Sequence, residues 1–327
     1  MSRRAPKAWR IATRRSSLAR SQAQTAAAAL AAATGRPAEL VPLATTGDAD
    51  PERAVEDFNA KGLFVDGIRR AVLAGDCDVA VHSYKDLPSE PCRGLLVGAV
   101  PPREDPRDLL VTRQGAGLSS LPRRATVGTS SARRRAQLQR ARRDLIVQPL
   151  RGNLDTRLRR VADGDLDAVV VAVAGVRRLG PVDLPLKAVP LEHGECLHAP
   201  AQGALAVECR DEDGETIDAL KLLDDPTTRL LVAAERALLV HLRGGCTAPL
   251  GAHAELRDQS DGPARMSLLG MVSDLNGTNL YRASHEAAAA APEFLGRTLA
   301  ETLLEMGGRE VLERLRARDV AVPMGGP

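Results

Sequence analysis

The sequence predicts an α/β protein of two mostly parallel sheets covered by helices, followed by a smaller α+β region. Three observations predict it: short apolar runs alternate with helical periodicity in two successive series, proline-bearing segments interrupt those series, and the rhythm changes beyond about Asp224.

The first series reads as strand Trp9 to Thr13, helix Ser16 to Thr34, strand Glu39 to Leu43, helix Leu63 to Ala74 and strand Asp78 to His82. The second reads as strands Ala125 to Val127, Leu145 to Leu150 and Ala168 to Val173, separated by helices Ser131 to Arg142 and Asn153 to Asp163. Pro101-Pro102-Arg103-Glu104-Asp105-Pro106 lies between the series and His198-Ala199-Pro200-Ala201-Gln202-Gly203 follows the second, so both read as inter-domain crossings. The last region offers a helix from Thr227 to Leu239, strands Ala252 to Leu256, Met266 to Val272 and Leu280 to Ser284, and helical pattern from Pro292 to Arg316. The expected domains are therefore 1–103 with 199–222, 104–198, and 223–327.

With 327 residues, 44% of them hydrophobic, the chain has material for several cores. The longest strongly apolar uncharged run, Ala168 to Val176, is far short of the roughly 20 residues that cross a bilayer. No apolar signal core follows the basic stretch Met1 to Arg10, so the expectation is a cytoplasmic protein with no membrane partner; a monomer is expected as well. Five cysteines (Cys77, Cys92, Cys196, Cys209, Cys246) form no CxxC pair and no Cys/His cluster at zinc spacing, so no metal is expected and at least one thiol is free for chemistry. The 45 basic residues comprise 5 lysines and 40 arginines. A GC-rich genome accounts for such a bias, and so does a ligand bound through bidentate guanidinium contacts, which ammonium cannot make.

Ligands of parallel sheets gather beyond the carboxyl ends of the strands. Lys85-Asp86 stands there after the strand ending at His82, either as a turn ion pair or as a carboxylate for a cationic or N–H-bearing group. Ser130-Ser131-Ala132-Arg133-Arg134-Arg135 opens a helix after Gly128, Arg151-Gly152-Asn153 with Arg157 follows the next strand, and Arg177-Arg178 the one after. One such cluster is ordinarily a solvated face; three successive strand ends that each deliver arginine imply a polyanionic ligand. Nucleic acid is disfavoured, because aromatic residues are only 2% and leave little for base stacking, while 42 acidic residues nearly balance the 45 basic ones. Cys246, after Gly244-Gly245, reads either as a buried structural cysteine or as an accessible thiol for a covalent cofactor. No histidine motif supports a cysteine-protease reading.

From about Ile11 to Gly251 the chain resembles the porphobilinogen deaminases. The resemblance is carried by Thr13-Arg14-Arg15-Ser16-Ser17-Leu18-Ala19, Lys61-Gly62-Leu63-Phe64-Val65, His82-Ser83-Tyr84-Lys85-Asp86-Leu87-Pro88, Arg103-Glu104-Asp105-Pro106-Arg107-Asp108, Val127-Gly128-Thr129-Ser130-Ser131, Leu150-Arg151-Gly152-Asn153, Gln202-Gly203-Ala204 and Gly244-Gly245-Cys246. It implies two periplasmic-binding-protein-like domains and a third domain holding a dipyrromethane cofactor by a thioether to Cys246. It implies that the substrate is porphobilinogen, and that Asp86 stabilises the cationic azafulvene left by loss of ammonia, with Lys85 and Arg14 as further catalytic groups. By the same resemblance Ser83, Lys85, Thr129, Ser130, Ser131, Arg133, Arg134, Arg151 and Gly152 belong to the cofactor site, and Arg14, Ser16, Lys61, Arg151, Arg157 and Arg178 to substrate binding. The sequence departs from the family pattern at Asp57, where a basic residue is usual, at Asp66-Gly67, and at His198 and Ala201, where proline and glycine are usual. A non-catalytic tetrapyrrole or small-acid binding protein on the same fold is the alternative, which would need neither Asp86 nor Cys246.

Overall fold

The computed structural model describes residues 7–43, 60–180, 184–242, 248–257 and 264–321. In chain order, the first elements are β1 (Trp9–Arg14), α1 (Ser17–Thr34), β2 (Ala38–Leu43), α2 (Ala60–Leu73), β3 (Val79–Ser83), a 3-10 turn (Tyr84–Asp86) and β4 (Leu95–Ala99). Next come β5 (Asp108–Thr112), β6 (Thr126–Gly128), α3 (Ala132–Ala141), β7 (Ile146–Gln148), α4 (Leu154–Ala162), β8 (Ala168–Ala172), α5 (Val173–Leu179) and β9 (Lys187–Leu191). The last are β10 (Leu205–Arg210), α6 (Gly214–Lys221), α7 (Pro226–His241), β11 (Leu250–Arg257), β12 (Arg265–Ser273), β13 (Leu280–Ala288), α8 (Pro292–Leu303) and α9 (Arg309–Ala321). They fall into two compact units, Met1–Glu104 with Gly203–Arg229, and Asp105–Gln202 with Leu230–Pro327. The chain thus crosses inside both proline-bearing segments, the return four residues later than expected.

In the first unit the strand order is β2-β1-β3-β10-β4. β1 runs parallel to β2 and β3, while β10 is antiparallel to both β3 and β4. Alternation along β1 sends Ile11 to one face and Ala12 to the other. The first face packs on Ala23, Ala26, Ala27 and Leu30 of α1 and Leu220 of α6; the second packs on Ile68 and Val72 of α2. Helix α1 starts where Ser16 accepts the amide of Ala19 and stops at Gly35, whose φ of 67° suits glycine. Its row of alanines lets it lie close to the sheet. Helix α2 runs through Asp66-Gly67 without a break.

The second unit holds two sheets with separate cores. One has the order β7-β6-β8-β5-β9, which repeats that of the first unit: three parallel strands, one antiparallel strand, then a parallel edge. This is the expected fold class, two α/β halves of one topology. Its faces are closed by Leu138 of α3 and by Leu158 and Val161 of α4. The other sheet, β11-β12-β13, is an antiparallel meander whose one face packs on Leu238 of α7 and Leu295, Leu299 and Leu303 of α8. α7 and α8 approach closely at Gly296, where a Cβ would stand 2.5 Å from that of Ala237 and 2.6 Å from the carbonyl oxygen of Ala234.

Several expectations are corrected. The strand expected from Leu145 to Leu150 shrinks to an edge strand, Ile146–Gln148, because Leu150 already turns into the core beyond it. The strand expected to reach Val173 ends at Ala172, and Val173 opens α5, so Arg177 and Arg178 sit in the last turn of a helix. The helical stretch from Pro292 is two helices, interrupted at Gly307, whose φ is 121°. Strands β4, β5, β9 and β10 and helix α6 were not predicted. β5 opens on a buried acid, β10 carries one within an apolar run, and β9 carries Pro190, tolerated at a sheet edge.

Candidate active site

In the first unit β1 and β3 end side by side, and four sequence-predicted residues meet there. Arg14, Ser16, Ser83 and Asp86 line one cavity of about 280 Å³, walled on its apolar side by Val65 and Ile68 of α2. Asp86 ends the 3-10 turn after β3 with its side chain exposed. Lys85 lies half-buried in the same turn. Ser83 is held by Gln22 of α1, whose Nε2 donates to Ser83 Oγ at 2.9 Å while that hydroxyl donates to Gln22 Oε1 at 3.1 Å. Thr13, fully buried, donates to the carbonyl of Ala19 and ties the end of β1 to α1.

Beneath the cavity is a buried acid that sequence reasoning missed. Glu208 of β10 accepts two hydrogen bonds from Arg69, at 2.6 and 2.9 Å, and stands 3.2 Å from Nε2 of His82, which lines the cavity. Burial opposes ionisation of Glu208, but the His82 ring beside it and the two hydrogen bonds from Arg69 outweigh it and hold the carboxyl at about 2 against an ordinary 4.5. The signal available was a lone charge inside the apolar run of β10. A folded-state value below the unfolded one stabilises the protein fully above about pH 4.5, and that contribution is lost as the pH falls toward 2. Glu208→Gln is expected to lower stability at pH 7 by about 3 kcal/mol and to flatten the acid limb of the stability profile. Urea unfolding from pH 3 to 7 measures both; an unchanged profile would refute the buried pair.

The second unit collects the remaining predicted residues. Thr129, Ser130 and Ser131 form the link from β6 to α3. Ser131 caps α3 by accepting the amide of Arg134, and Ser130 Oγ exchanges hydrogen bonds with the backbone of Leu150 at 2.8 and 2.9 Å. Arg133 and Arg134, expected to reach outward to a ligand, are buried on Asp108 of β5. Arg133 Nη1 donates to Asp108 Oδ2 at 2.7 Å and to the carbonyl of Leu197 at 2.6 Å; Arg134 donates to Oδ1 through Nε and Nη2. Gln202 adds a third donor at 2.8 Å. Burial works against the Asp108 charge, but the two guanidinium groups overcome it and keep the carboxyl well below its usual range. The same burial, with the Asp108 charge, pushes the Cys196 thiol up to about 12, so Cys196 is no nucleophile.

Beyond this cluster Arg151 is exposed and Gly152 turns the chain with φ of 98°. Arg157 Nε donates to the Gly152 carbonyl at 2.8 Å. Its charge is disfavoured by burial and then by the nearby charge of Arg134, with no acid offsetting either, so an arriving anion would stabilise it. Arg178 is half-buried at the end of α5. Cys246 and Asp57 lie outside the described residues, as does the side chain of Lys61.

At the return crossing, Ala201, standing where the family pattern has glycine, takes a φ of 61°. That left-handed conformation costs a residue with a Cβ roughly 1 kcal/mol. It is held by the buried carboxylate of Glu235, which accepts the amides of Ala201 at 2.7 Å and Ala254 at 3.0 Å.

Comparison with known proteins gives the site a context. Residues 9–218 match the family model described as porphobilinogen deaminase, dipyromethane cofactor binding domain, and residues 229–305 match that of the porphobilinogen deaminase C-terminal domain. The chain belongs to the porphobilinogen deaminase family. A porphobilinogen deaminase of Nocardia farcinica is 49% identical over 97% of this chain and 91% of its own length. One of Mycobacterium tuberculosis is 47% identical over 94% of this chain and 99% of its own. Among solved structures, an amino acid ABC transporter substrate-binding protein of Streptococcus pneumoniae is 14% identical over 66% of this chain and 86% of that one, with a TM-score of 0.35. The porphobilinogen deaminases are named for an enzyme of tetrapyrrole synthesis, and the cofactor named for the matched domain fits the donor set found here. A dipyrromethane bears several carboxylates, and the segments that follow the strands of the second unit offer Arg151, Arg157 of α4 and Arg178 of α5 with the hydroxyl-rich Thr129-Ser130-Ser131 link.

Proposed function

We propose that this chain is a hydroxymethylbilane synthase, a deaminating transferase that joins four porphobilinogens head to tail, consumes one water to release the product as hydroxymethylbilane, and frees four molecules of ammonia. The observation that carries this reading is the gathering of Arg14, Ser16, Ser83 and Asp86 around one cavity at the carboxyl ends of β1 and β3. Asp86 is the central catalytic group: its carboxylate accepts the pyrrole N–H and stabilises the cation left on porphobilinogen as ammonia departs. Lys85 and Arg14 assist it. Arg14, Ser16 and Lys61 bind the acetate and propionate groups of the substrate. A dipyrromethane bound through Cys246 supplies the nucleophilic position on which the product is assembled. Arg151, Arg157 and Arg178 hold carboxylates of cofactor and product, Arg151 and Arg157 on either side of the turn at Gly152. Arg133 and Arg134 belong to the same site as positioning residues, since their hold on Asp108 sets the start of α3 and with it Thr129, Ser130 and Ser131.

The protein acts on a small molecule as a cytoplasmic monomer of three domains, in which 105–202 and 230–327 form separate domains. Among the described residues no helix is long and apolar enough to cross a membrane.

Intact mass tests the proposal. Protein purified from a porphobilinogen-producing host is expected to carry an added mass of two linked pyrroles, and the Cys246→Ala variant none. Unmodified wild type would instead favour a small-acid binding protein on this fold.

A further inference from the structure

Three histidines that the proposed chemistry does not use come together within the second unit. His193 stands in the turn after β9, His198 in the return crossing and His253 in β11, and one ring nitrogen of each lies within 4.8 Å of the others. From these positions we infer that His193, His198 and His253 form a binding site for a borderline divalent transition ion of the Zn²⁺ type, outside the tetrapyrrole chemistry.

The hydrogen bonds set the tautomers. Nδ1 of His198 lies 2.9 Å from the carbonyl of Ala199, which can only accept, so this nitrogen carries the proton. In the neutral ring Nε2 then has the lone pair, and it faces Nδ1 of His253 at 3.0 Å. A ring nitrogen turned to its neighbours while the other donates to a backbone carbonyl is the usual arrangement of a metal-ligating histidine. Nδ1 of His193 is buried without a hydrogen-bond partner.

The geometry is close to what an ion requires. Nitrogen ligands at about 2.0–2.1 Å from a tetrahedral centre lie about 3.3 Å apart. The His198–His253 pair at 3.0 Å opens slightly, and no pair has to close by more than about 1.5 Å. His193 and His253 are stacked with centroids 3.8 Å apart, so their in-plane lone pairs run side by side, and His193 has to tilt out of the stack for both rings to meet one ion. The rest of the frame is already in place. Ala252 donates its amide to the carbonyl of His198, and Arg282 of β13 donates to the carbonyl of His193. On binding, the proton in the His198–His253 hydrogen bond leaves Nδ1 of His253 and the ring takes one up at Nε2, so the imidazole stays neutral. That nitrogen lies 4.0 Å from the carboxylate of Glu255. His193 and His253, each partly exposed, provide the entry, and a water completes the fourth position. A filled site would cross-link the return crossing to β11.

The test uses the full chain, carrying its cofactor and stripped of metal with a chelator. Calorimetric titration with Zn²⁺ is expected to give one ion per chain and a higher melting temperature. His193→Gln and His253→Gln are each expected to weaken binding at least about 100-fold and to abolish the rise in melting temperature. With Co²⁺, the wild type is expected to develop the visible absorption of a tetrahedral nitrogen- and oxygen-ligated ion. Absence of one-to-one binding, equal affinity in both variants, or a near-ultraviolet thiolate charge-transfer band, which would move the ion to a cysteine, each overturns the site.

Discussion

Asp86→Asn is expected to lower kcat by about 10³-fold while leaving the fold intact. The substitution keeps the size of the side chain and removes its negative charge at the mouth of the cavity beyond β3, where a cation forms on the substrate. Removing one preorganised electrostatic contact from a transition state costs on the order of 10²–10³ in rate, and here a whole charge is lost. Because Asp86 is exposed at the end of the 3-10 turn, stability is expected to change by less than about 0.5 kcal/mol. Steady-state turnover and the intact mass of the variant are measured together, so that lost catalysis is separated from lost cofactor. A variant with its cofactor in place that keeps more than about a tenth of wild-type kcat would remove Asp86 from the centre of the chemistry.

Asp108→Ala is expected to destabilise the protein by about 3–5 kcal/mol, because it strands two buried guanidinium groups. Asp108 is fully buried and binds Arg133, Arg134 and Gln202. Without it the charges of Arg133 and Arg134 remain inside with no carboxylate, left to the carbonyl oxygens of Leu197 and Val170 and the sulfur of Cys196. The sign with pH follows from the direction of the carboxyl shift. A carboxyl held below its unfolded value stabilises fully above the ordinary carboxylate range, and this contribution is withdrawn on acidification. The urea midpoint is expected to fall with an unchanged m-value. A loss below about 1 kcal/mol would mean that the two arginines find other partners and that Asp108 does not organise the start of α3.

The two buried acids explain which parts of the fold were legible. β1, α1, β3 and α3 could be located from their residues because their signals are local: an apolar alternation, a serine cap, a glycine stop. β5 and β10 could not, because Asp108 opens the first on a charge and Glu208 interrupts the apolar run of the second. Their partners lie far off, 25 and 26 residues away for Arg133 and Arg134 and 139 for Arg69. An unpaired charge argues against a buried strand, and no local pattern announces the distant arginine that makes its burial tolerable. The same reason separates the arginines of the site. Arg133, Arg134, Arg151 and Arg157 look alike as strand-end arginines, yet the first two are enclosed around an acid while Arg151 is exposed and Arg157 half-buried without one.

By itself the sequence determined the family, the two α/β series, the crossing segments and the residues Arg14, Ser16, Ser83 and Asp86, since each depends on residue type and spacing within a few positions. Only the tertiary structure decided that those four share a cavity, that Glu208 lies beneath it with Arg69 and His82, and that both sheets carry an antiparallel strand. It alone brought together His193, His198 and His253, spaced 5 and 55 residues apart. The physical reason is common to all of these. Burial changes what a charge or a ring nitrogen can do, and burial is a property of neighbours that the packed sheets supply from distant parts of the chain.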